Sequence, residues 1–230
     1  MSDMLPIIYT VRLDLSPEVR DEFDAWAGTK HVGDLLAAGF LSALRFKAYK
    51  GQPEYLHIYE LPDVELMQTE KYQDVIKNDN SAAKLRHGVQ NHSASLYEQV
   101  VAVNVPETPR SISNPRTTSV GGVTSRHLIT VQMDVEAGQE EELVKWHREE
   151  HIPTLLEAKG MVTGRLCRRV AKHPKTPCLD PEWVAIYEME DADTLSDPKV
   201  RAANGTEWAK RMHAVTSDVR LCVLERITPA

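Results

Sequence analysis

Residues His147-Arg148-Glu149-Glu150-His151 have the form H-x-x-E-H, two histidines four apart with a carboxylate beside them. On a helix this spacing puts both imidazoles on one face, as in the inverted zinc-hydrolase signature. The chain supplies its own comparison. Trp26-Ala27-Gly28-Thr29-Lys30-His31 lies over Trp146 to His151, with Ala27 in place of His147 and Lys30 in place of Glu150. Only the tryptophan and the last histidine occur in both, so the shared feature is W-x-x-x-x-H. A zinc site also needs a third ligand, and Glu157 and His213 offer no compelling spacing. No metal is expected. His31 and His151 remain candidate proton-transfer groups, because imidazole titrates near neutrality. The plainer alternative is that each histidine binds backbone carbonyls at a helix end while its tryptophan, Trp26 or Trp146, packs on a sheet.

A second set of chemical groups alternates along short strand-like segments. In Glu54–Leu61, Tyr55, His57 and Tyr59 share one face while Leu56 and Ile58 share the other. In Glu182–Met189, Trp183, Ala185 and Tyr187 alternate with Val184 and Ile186. The aliphatic set is expected to face helices, and the aromatic and polar set an interior pocket. Nearer the start of each half, Val11, Leu13, Val131 and Met133 suit the helix side, which sends Thr10, Arg12, Thr130 and Gln132 inward. Apolar walls with a few orienting donors make a small-molecule pocket. The alternative is that the aromatics only fill a core, where Arg12 and His57 would be costly as unpaired filler. Arg45 and Arg165, near the start of each second strand, are candidates for binding a carboxylate or enolate oxygen, or are solvated surface arginines. His87 and His213 are weaker rim candidates, and Trp208 reads as core packing.

These residues belong to elements that occur twice. Tyr9-Thr10-Val11-Arg12-Leu13-Asp14 matches Ile129-Thr130-Val131-Gln132-Met133-Asp134, and Tyr55–Leu61 matches Trp183–Met189. Gly39 matches Gly160 after one inserted residue. Each half then has a helical stretch, near 64–90 and 191–214, and a closing strand, near 94–103 and 218–227. The order in each half is strand, helix, strand, strand, helix, strand. The expected organisation is one repeat over 1–103, a Pro/Ser/Thr/Gly-rich linker over 104–126 and a second repeat over 127–230. The second half carries a longer, proline-bearing loop, AKHPKTPCLDP, between its second and third strands.

A β-α-β-β-α-β unit is the ferredoxin-like arrangement, and the fold class is α+β. Its sheet has one face covered by helices and one bare, so two units are expected to pack face to face as a barrel-like shell around a pocket. The segments EFDAWAGTKHVGDLLAAGFLSALRF and PEYLHIYELPD resemble the dimeric α/β-barrel superfamily, and within it EthD-like proteins. That resemblance covers nearly the whole chain outside the linker. It implies an active-site histidine on the first helix. It leaves the reaction open, since the superfamily spans monooxygenases, cyclases, isomerases, dehydratases and haem enzymes.

Composition narrows the partners. The net charge of −7 argues against nucleic acid or an anionic membrane as partner, both of which need clustered Lys and Arg. The N-terminus lacks the plan of a signal peptide, and three cysteines with no C-x-x-C pair suit a reducing, cytoplasmic setting. There is no phosphate-binding glycine loop or G-x-S-x-G elbow. The expectation is a cofactor-independent lyase, isomerase or cyclase acting on a small apolar aromatic or polyketide-like carbonyl compound. His31, His57 or His151 would serve as base, and Tyr59 or Tyr187 with Arg12 would stabilise an enolate. Tyr55, Gln132, Trp183, Arg45, Trp26 and Trp146 would line the substrate. The alternatives are a cofactor-free monooxygenase or a non-catalytic small-ligand-binding protein. A haem protein using His57, His87 or His213 is the least favoured, and a homodimer through exposed edge strands is expected to be feasible.

Overall fold

The computed structural model of the chain describes residues 5–105, 121–173 and 175–227. The first half contains β1 (Ile7–Leu15), α1 (Arg20–Trp26), a π-helical turn Ala27–His31, α2 (Val32–Ala37), β2 (Ser42–Lys50) and β3 (Tyr55–Leu61). It continues with α3 (Glu70–Asn78), α4 (Asn80–Leu85) and β4 (Val89–Val103). The second half repeats this order with β5 (His127–Val135), α5 (Glu140–Trp146), a π-helical turn His147–His151, α6 (Ile152–Leu155), β6 (Met161–Lys172) and β7 (Trp183–Met189). It ends with α7 (Pro198–Ala203), α8 (Glu207–Val215) and β8 (Thr216–Arg226). Gly39 and Gly160 leave the first helical segment of each half at φ +113° and +88°, a left-handed exit that glycine adopts without strain. Among the described residues no helix is long and apolar enough to cross a membrane.

The eight strands form one closed antiparallel barrel in the order β1-β3-β2-β8-β5-β7-β6-β4. The halves therefore join edge to edge, through β2–β8 and β4–β6, and not face to face as two sheets. The seam follows from twist, because strongly twisted four-stranded sheets curl until their edges meet. Among the described residues the closed barrel leaves no free strand edge, so they offer no edge-strand route to a homodimer.

The barrel interior is solid. Residues from both halves, among them Ile8, Phe46, Ile58, Leu128, Ile186 and Leu224, form one buried cluster there. The helices cover the outer surface of the barrel and bury separate clusters, one against the second half and two against the first. The expected pocket inside the shell is thus replaced by packed side chains.

The face assignment of the third strands is reversed for the same reason. Val11 pairs with His57 and Arg12 with Leu56, so His57, Tyr55 and Tyr59 share the helix-facing side with Val11 and Leu13. Trp183, Ala185 and Tyr187 pair with Met133, Val131 and Ile129 and also face helices. The inward assignment of Thr10, Arg12, Thr130 and Gln132 agrees with the register. All seven residues of β3 and of β7 are buried, because one face meets helices and the other meets the barrel core. Polarity alternation separates core from solvent, and here neither face is solvent.

Both mouths of the barrel are stopped by loops. At one, the backbone N–H of Val123 donates to Glu60 (2.7 Å), and those of Thr124 and Ser125 donate to Glu188 (2.6 Å each). Arg165 pairs with Glu188 at 2.6 Å and donates to the carbonyl of Gly122 at 2.7 Å. A Cβ on Gly122 would overlap the Glu60 carboxylate oxygens, so a larger residue there would displace that carboxylate. The end of the expected linker, residues 121–126, is therefore a plug, and 106–120 lie outside the described residues. At the other mouth the long β6–β7 loop inserts Asp180, which accepts from Ser93 (2.8 Å), Ser95 (3.0 Å) and Arg12 (3.3 Å).

Candidate active site

Helix closure by i→i+5 bonds makes residues five apart neighbours, whereas in an α-helix they point well away from each other. The W-x-x-x-x-H pattern coincides with a π turn in both halves. Trp26 and His31 lie with ring centroids 4.5 Å apart, and Trp146 and His151 4.2 Å apart. The π turn, a known mark of functional sites, is what brings each histidine back over its tryptophan.

In the first half this stack is completed by Asp79. Asp79 is the N-cap of α4, where its Oδ1 accepts from the backbone N–H of Ser81 and Ala82, both 3.1 Å. The same carboxylate accepts from Trp26 Nε1 at 3.0–3.1 Å. His31 Nδ1 stands 3.7 Å from Asp79 Oδ2, an ion-pair distance slightly too long for a hydrogen bond. The His31 imidazole, the capping N–H of Ala82 and the Trp26 indole together hold the Asp79 carboxyl well below the usual range against the opposing effect of burial. A carboxylate facing Nδ1 favours the tautomer protonated there, which leaves Nε2 as the basic nitrogen. The His31 side chain is 16% exposed, so this base is reachable from solvent.

Behind His31 lies Tyr59, edge-on at 6.4 Å between centroids. Tyr59 Oη is 3.2 Å from His57 Nδ1, and Arg45 Nε donates to His57 Nε2 at 3.4 Å. An arginine is always a donor, so Nε2 accepts and Nδ1 carries the proton that bonds Tyr59. The Tyr59 oxygen is then an acceptor and its own proton is free to donate elsewhere. Burial, with Arg45 beside it, keeps His57 neutral by pushing its pKa well down. Arg45 is itself paired with Asp24. Burial likewise raises the Tyr59 phenol, so it remains a proton donor at neutral pH.

The second half has the stack without the acid. Where α4 is capped by Asp79, α8 is capped by Thr206, whose hydroxyl donates to Glu150 at 2.6 Å. His151 Nδ1 faces the carbonyl of Ala203 at 3.4 Å, and His147 Nδ1 faces that of Leu143 at 2.9 Å. Burial lowers His147 to about 4 and, with His147 adjacent, His151 to about 3. Tyr187 sits edge-on to His151 at 5.9 Å. Trp146, His147 and His151 are all buried, so this cluster is closed. Among the described residues no three His, Cys, Asp or Glu side chains stand close enough together to hold a metal ion.

The remaining expected residues separate from both clusters. Arg12 lies inside the barrel on Asp180 and the Gln52 carbonyl (2.7 Å), on the opposite face of the sheet from His57. Gln132 is its buried counterpart in the second half. Tyr55 packs with Leu13 and Phe23, and Trp183 packs with Met133 and Leu143, under the Arg168 guanidinium. Arg45 and Arg165 are not equivalent, since Arg45 faces helices and Arg165 faces the barrel interior. Sequence reasoning missed Asp79, Tyr9, Tyr72 and His173. Asp79-Asn80-Ser81 has the composition of an N-cap, a signal obscured when 64–90 is read as a single helix.

A family model for a domain of unknown function, DUF4286, matches residues 127–216. No curated protein matches the chain. Several solved structures share its fold at low sequence identity. A proposed monooxygenase from Fusobacterium nucleatum superposes with a TM-score of 0.60 at 10% identity, covering 99% of this chain and 94% of that one. An anthrone oxidase-like protein gives 0.61 at 11% identity, covering 99% and 93%. A haem-binding protein from Thermus thermophilus gives 0.56 at 13% identity, covering 98% and 92%.

Proposed function

We propose that the His31–Asp79 pair, on the helix-covered outer face of the first half's sheet, is the active site of an enzyme that moves a proton on a small, apolar, aromatic or polyketide-like carbonyl compound. The observation that carries this reading is the partly exposed His31 beside the buried Asp79 carboxylate, on the Trp26 shelf and next to the Tyr59 phenol. His31 Nε2 would take a proton from carbon α to a carbonyl, Asp79 would stabilise the imidazolium, and Tyr59 would donate to the enolate oxygen as charge develops. The protein is read as two fused ferredoxin-like repeats, 1–103 and 127–230, in which the first keeps the working site and the second is closed. Return of the proton at another position would make the reaction an isomerisation, and loss of a leaving group would make it a lyase step.

A second reading has the same first step. The resemblance to a proposed monooxygenase and an anthrone oxidase-like protein supports a cofactor-free oxygenase, in which the carbanion meets dioxygen. Oxygen uptake during turnover distinguishes it from the lyase or isomerase reading.

Haem, suggested by the haem-binding relative, does not fit the histidines expected to hold it. Both His57 nitrogens are engaged, His87 is exposed with Nδ1 on the Lys84 carbonyl, and His213 is exposed against the edge of Trp146. No step is routed through it.

The test is exchange of the C2 hydrogens of 1-tetralone in heavy water, followed by proton NMR. The protein should accelerate exchange, and His31→Ala should slow it about 10²–10⁴-fold, the usual worth of a positioned general base. Equal exchange by the variant would remove His31 from the mechanism.

A further inference from the structure

The likeness of the two halves is broken in two places that meet on one helix pair, α3 and α4. Asp79 caps α4 where Thr206 caps α8. The β6–β7 loop is also longer than the β2–β3 loop, 173–182 against 51–54. That loop belongs to the second half and is anchored on the barrel wall. Asp180 accepts from Ser93, Ser95 and Arg12, and the Pro177 carbonyl accepts from Ala94 N at 3.0 Å.

From this anchor the loop reaches α3 of the first half. His173 Nε2 lies 3.0 Å from Tyr72 Oη, and the imidazole stacks on Tyr9 of β1 at 6.0 Å. Lys175 Nζ donates to Gln73 Oε1 at 3.4 Å. The backbone N–H of Lys175 donates to His173 Nδ1 at 3.2 Å, so Nε2 carries the proton and donates it to the phenol oxygen. Burial lowers His173 to about 4, so this neutral tautomer persists at pH 7.

The helix held in this way is the one that delivers Asp79. Asp79 is at once the C-cap of α3 and the N-cap of α4. Tyr72 and Gln73 lie in the first turn of α3, which is nine residues long, so their placement is passed along one short rigid element to the acid. Tyr72 is buried, and its ring also lies against Phe40 at 5.6 Å. Phe40 follows Gly39, where the helical segment that carries His31 ends. One side chain therefore meets the loop, α3 and the exit of the His31 segment. How those two segments lie sets the 3.7 Å between His31 Nδ1 and Asp79 Oδ2.

We infer that His173 is a positioning residue for the first half's site: it fixes Tyr72, and through α3 it sets where the Asp79 carboxylate stands against His31. This rests on the proposed function and adds a residue to it. It also gives the second half, whose own cluster is closed, a task at the site of the first.

The test is a proton–nitrogen NMR spectrum of the tryptophan indoles in the full chain. Trp26 reports on Asp79, because its Nε1 donates to that carboxylate. Trp26→Leu assigns the peak. His173→Phe keeps a ring against Tyr9 and removes the donor to Tyr72. It should shift the Trp26 indole and leave those of Trp146, Trp183 and Trp208 in place. Tyr72→Phe should do the same, and the double variant should add nothing further. His173→Gln, which can still donate to Tyr72, should return the peak toward its original position. In 1-tetralone exchange His173→Phe should lower kcat about three- to tenfold, the worth of one buried hydrogen bond, with KM unchanged. An unmoved Trp26 indole, equal shifts at all the indoles, no rescue by glutamine, or a loss confined to KM would overturn the inference. A Trp26 shift in a chain that exchanges no tetralone would uphold the positioning and refute only the catalytic reading. Exchange with an unmoved Trp26 indole would do the reverse.

Discussion

At the scale of single residues, one histidine position is used in two ways. His31 is paired with a carboxylate and partly exposed. His151, at the same place in the second half, has only a carbonyl acceptor and is buried. The difference in partner traces to one cap residue, Asp79 against Thr206. The buried pair has a consequence for stability. His147 and His151 titrate at about 4 and about 3 when folded, against about 6.5 when unfolded. The unfolded chain therefore binds more protons below pH 6.5, and stability falls as pH drops from there toward 4, by up to about 1.4 kcal/mol per pH unit for each group. His147→Asn, whose amide can still donate to the Leu143 carbonyl, should flatten that acid limb in thermal unfolding between pH 7 and 4.5. An unchanged slope would mean that the imidazole is protonated in the fold. The histidines and tyrosines of both clusters were legible in the sequence as chemical groups. Their partners Asp79 and His173 were not, because each is brought in by a cap or a loop distant along the chain.

At the scale of elements, the π turn makes the Trp–His stack. A π turn is an α-helix with one extra residue, and removing that residue restores the α-helical path. Trp26→Leu, which removes the indole that His31 stacks on and that donates to Asp79, should leave the barrel folded by circular dichroism and slow tetralone exchange. Unchanged exchange would mean the stack is incidental. The five-residue spacing in W-x-x-x-x-H was the visible trace of this turn, although on an α-helix it looks like two residues on different faces. The strands show the limit of reading by pattern. Alternation in β1 was informative, since Arg12 and Thr10 mark the inner face. In β3 the same reasoning picked the wrong side, because Leu56 and Ile58 face a second core and only the pairing of Arg12 with Leu56 settles the orientation.

At the scale of the whole molecule, the barrel is a scaffold and the proposed site lies on its outer face under the helices. Two loops stop its mouths with buried ions, and each buried charge depends on its partner. Arg165 and Glu188 have no exposed side-chain surface. Burial pushes the Glu188 carboxyl up, but Arg165 and the N–H groups of Thr124 and Ser125 outweigh it and hold it low. Arg165→Met should cost about 3–5 kcal/mol in urea unfolding by leaving a buried charge unpaired, and adding Glu188→Gln should recover most of it. A small loss in the single variant would mean that water reaches the plug. The order of elements, and so the α+β class, was readable from the repeated strand patterns. Closure into one barrel was not, because β2–β8 and β4–β6 pairing joins segments far apart in the chain and carries no local signal.

The central claim is that ligands are met at the His31–Asp79 pair on the outer face of the first half's sheet and not in the barrel interior. Amide chemical-shift mapping with 1-tetralone tests it directly. The account predicts shifts clustered at Trp26, His31, Val32 and Asp79, with the second half unmoved. Shifts centred on the interior residues Arg12, Gln132, Val184 and Ile186, or on the His151 cluster, would contradict it.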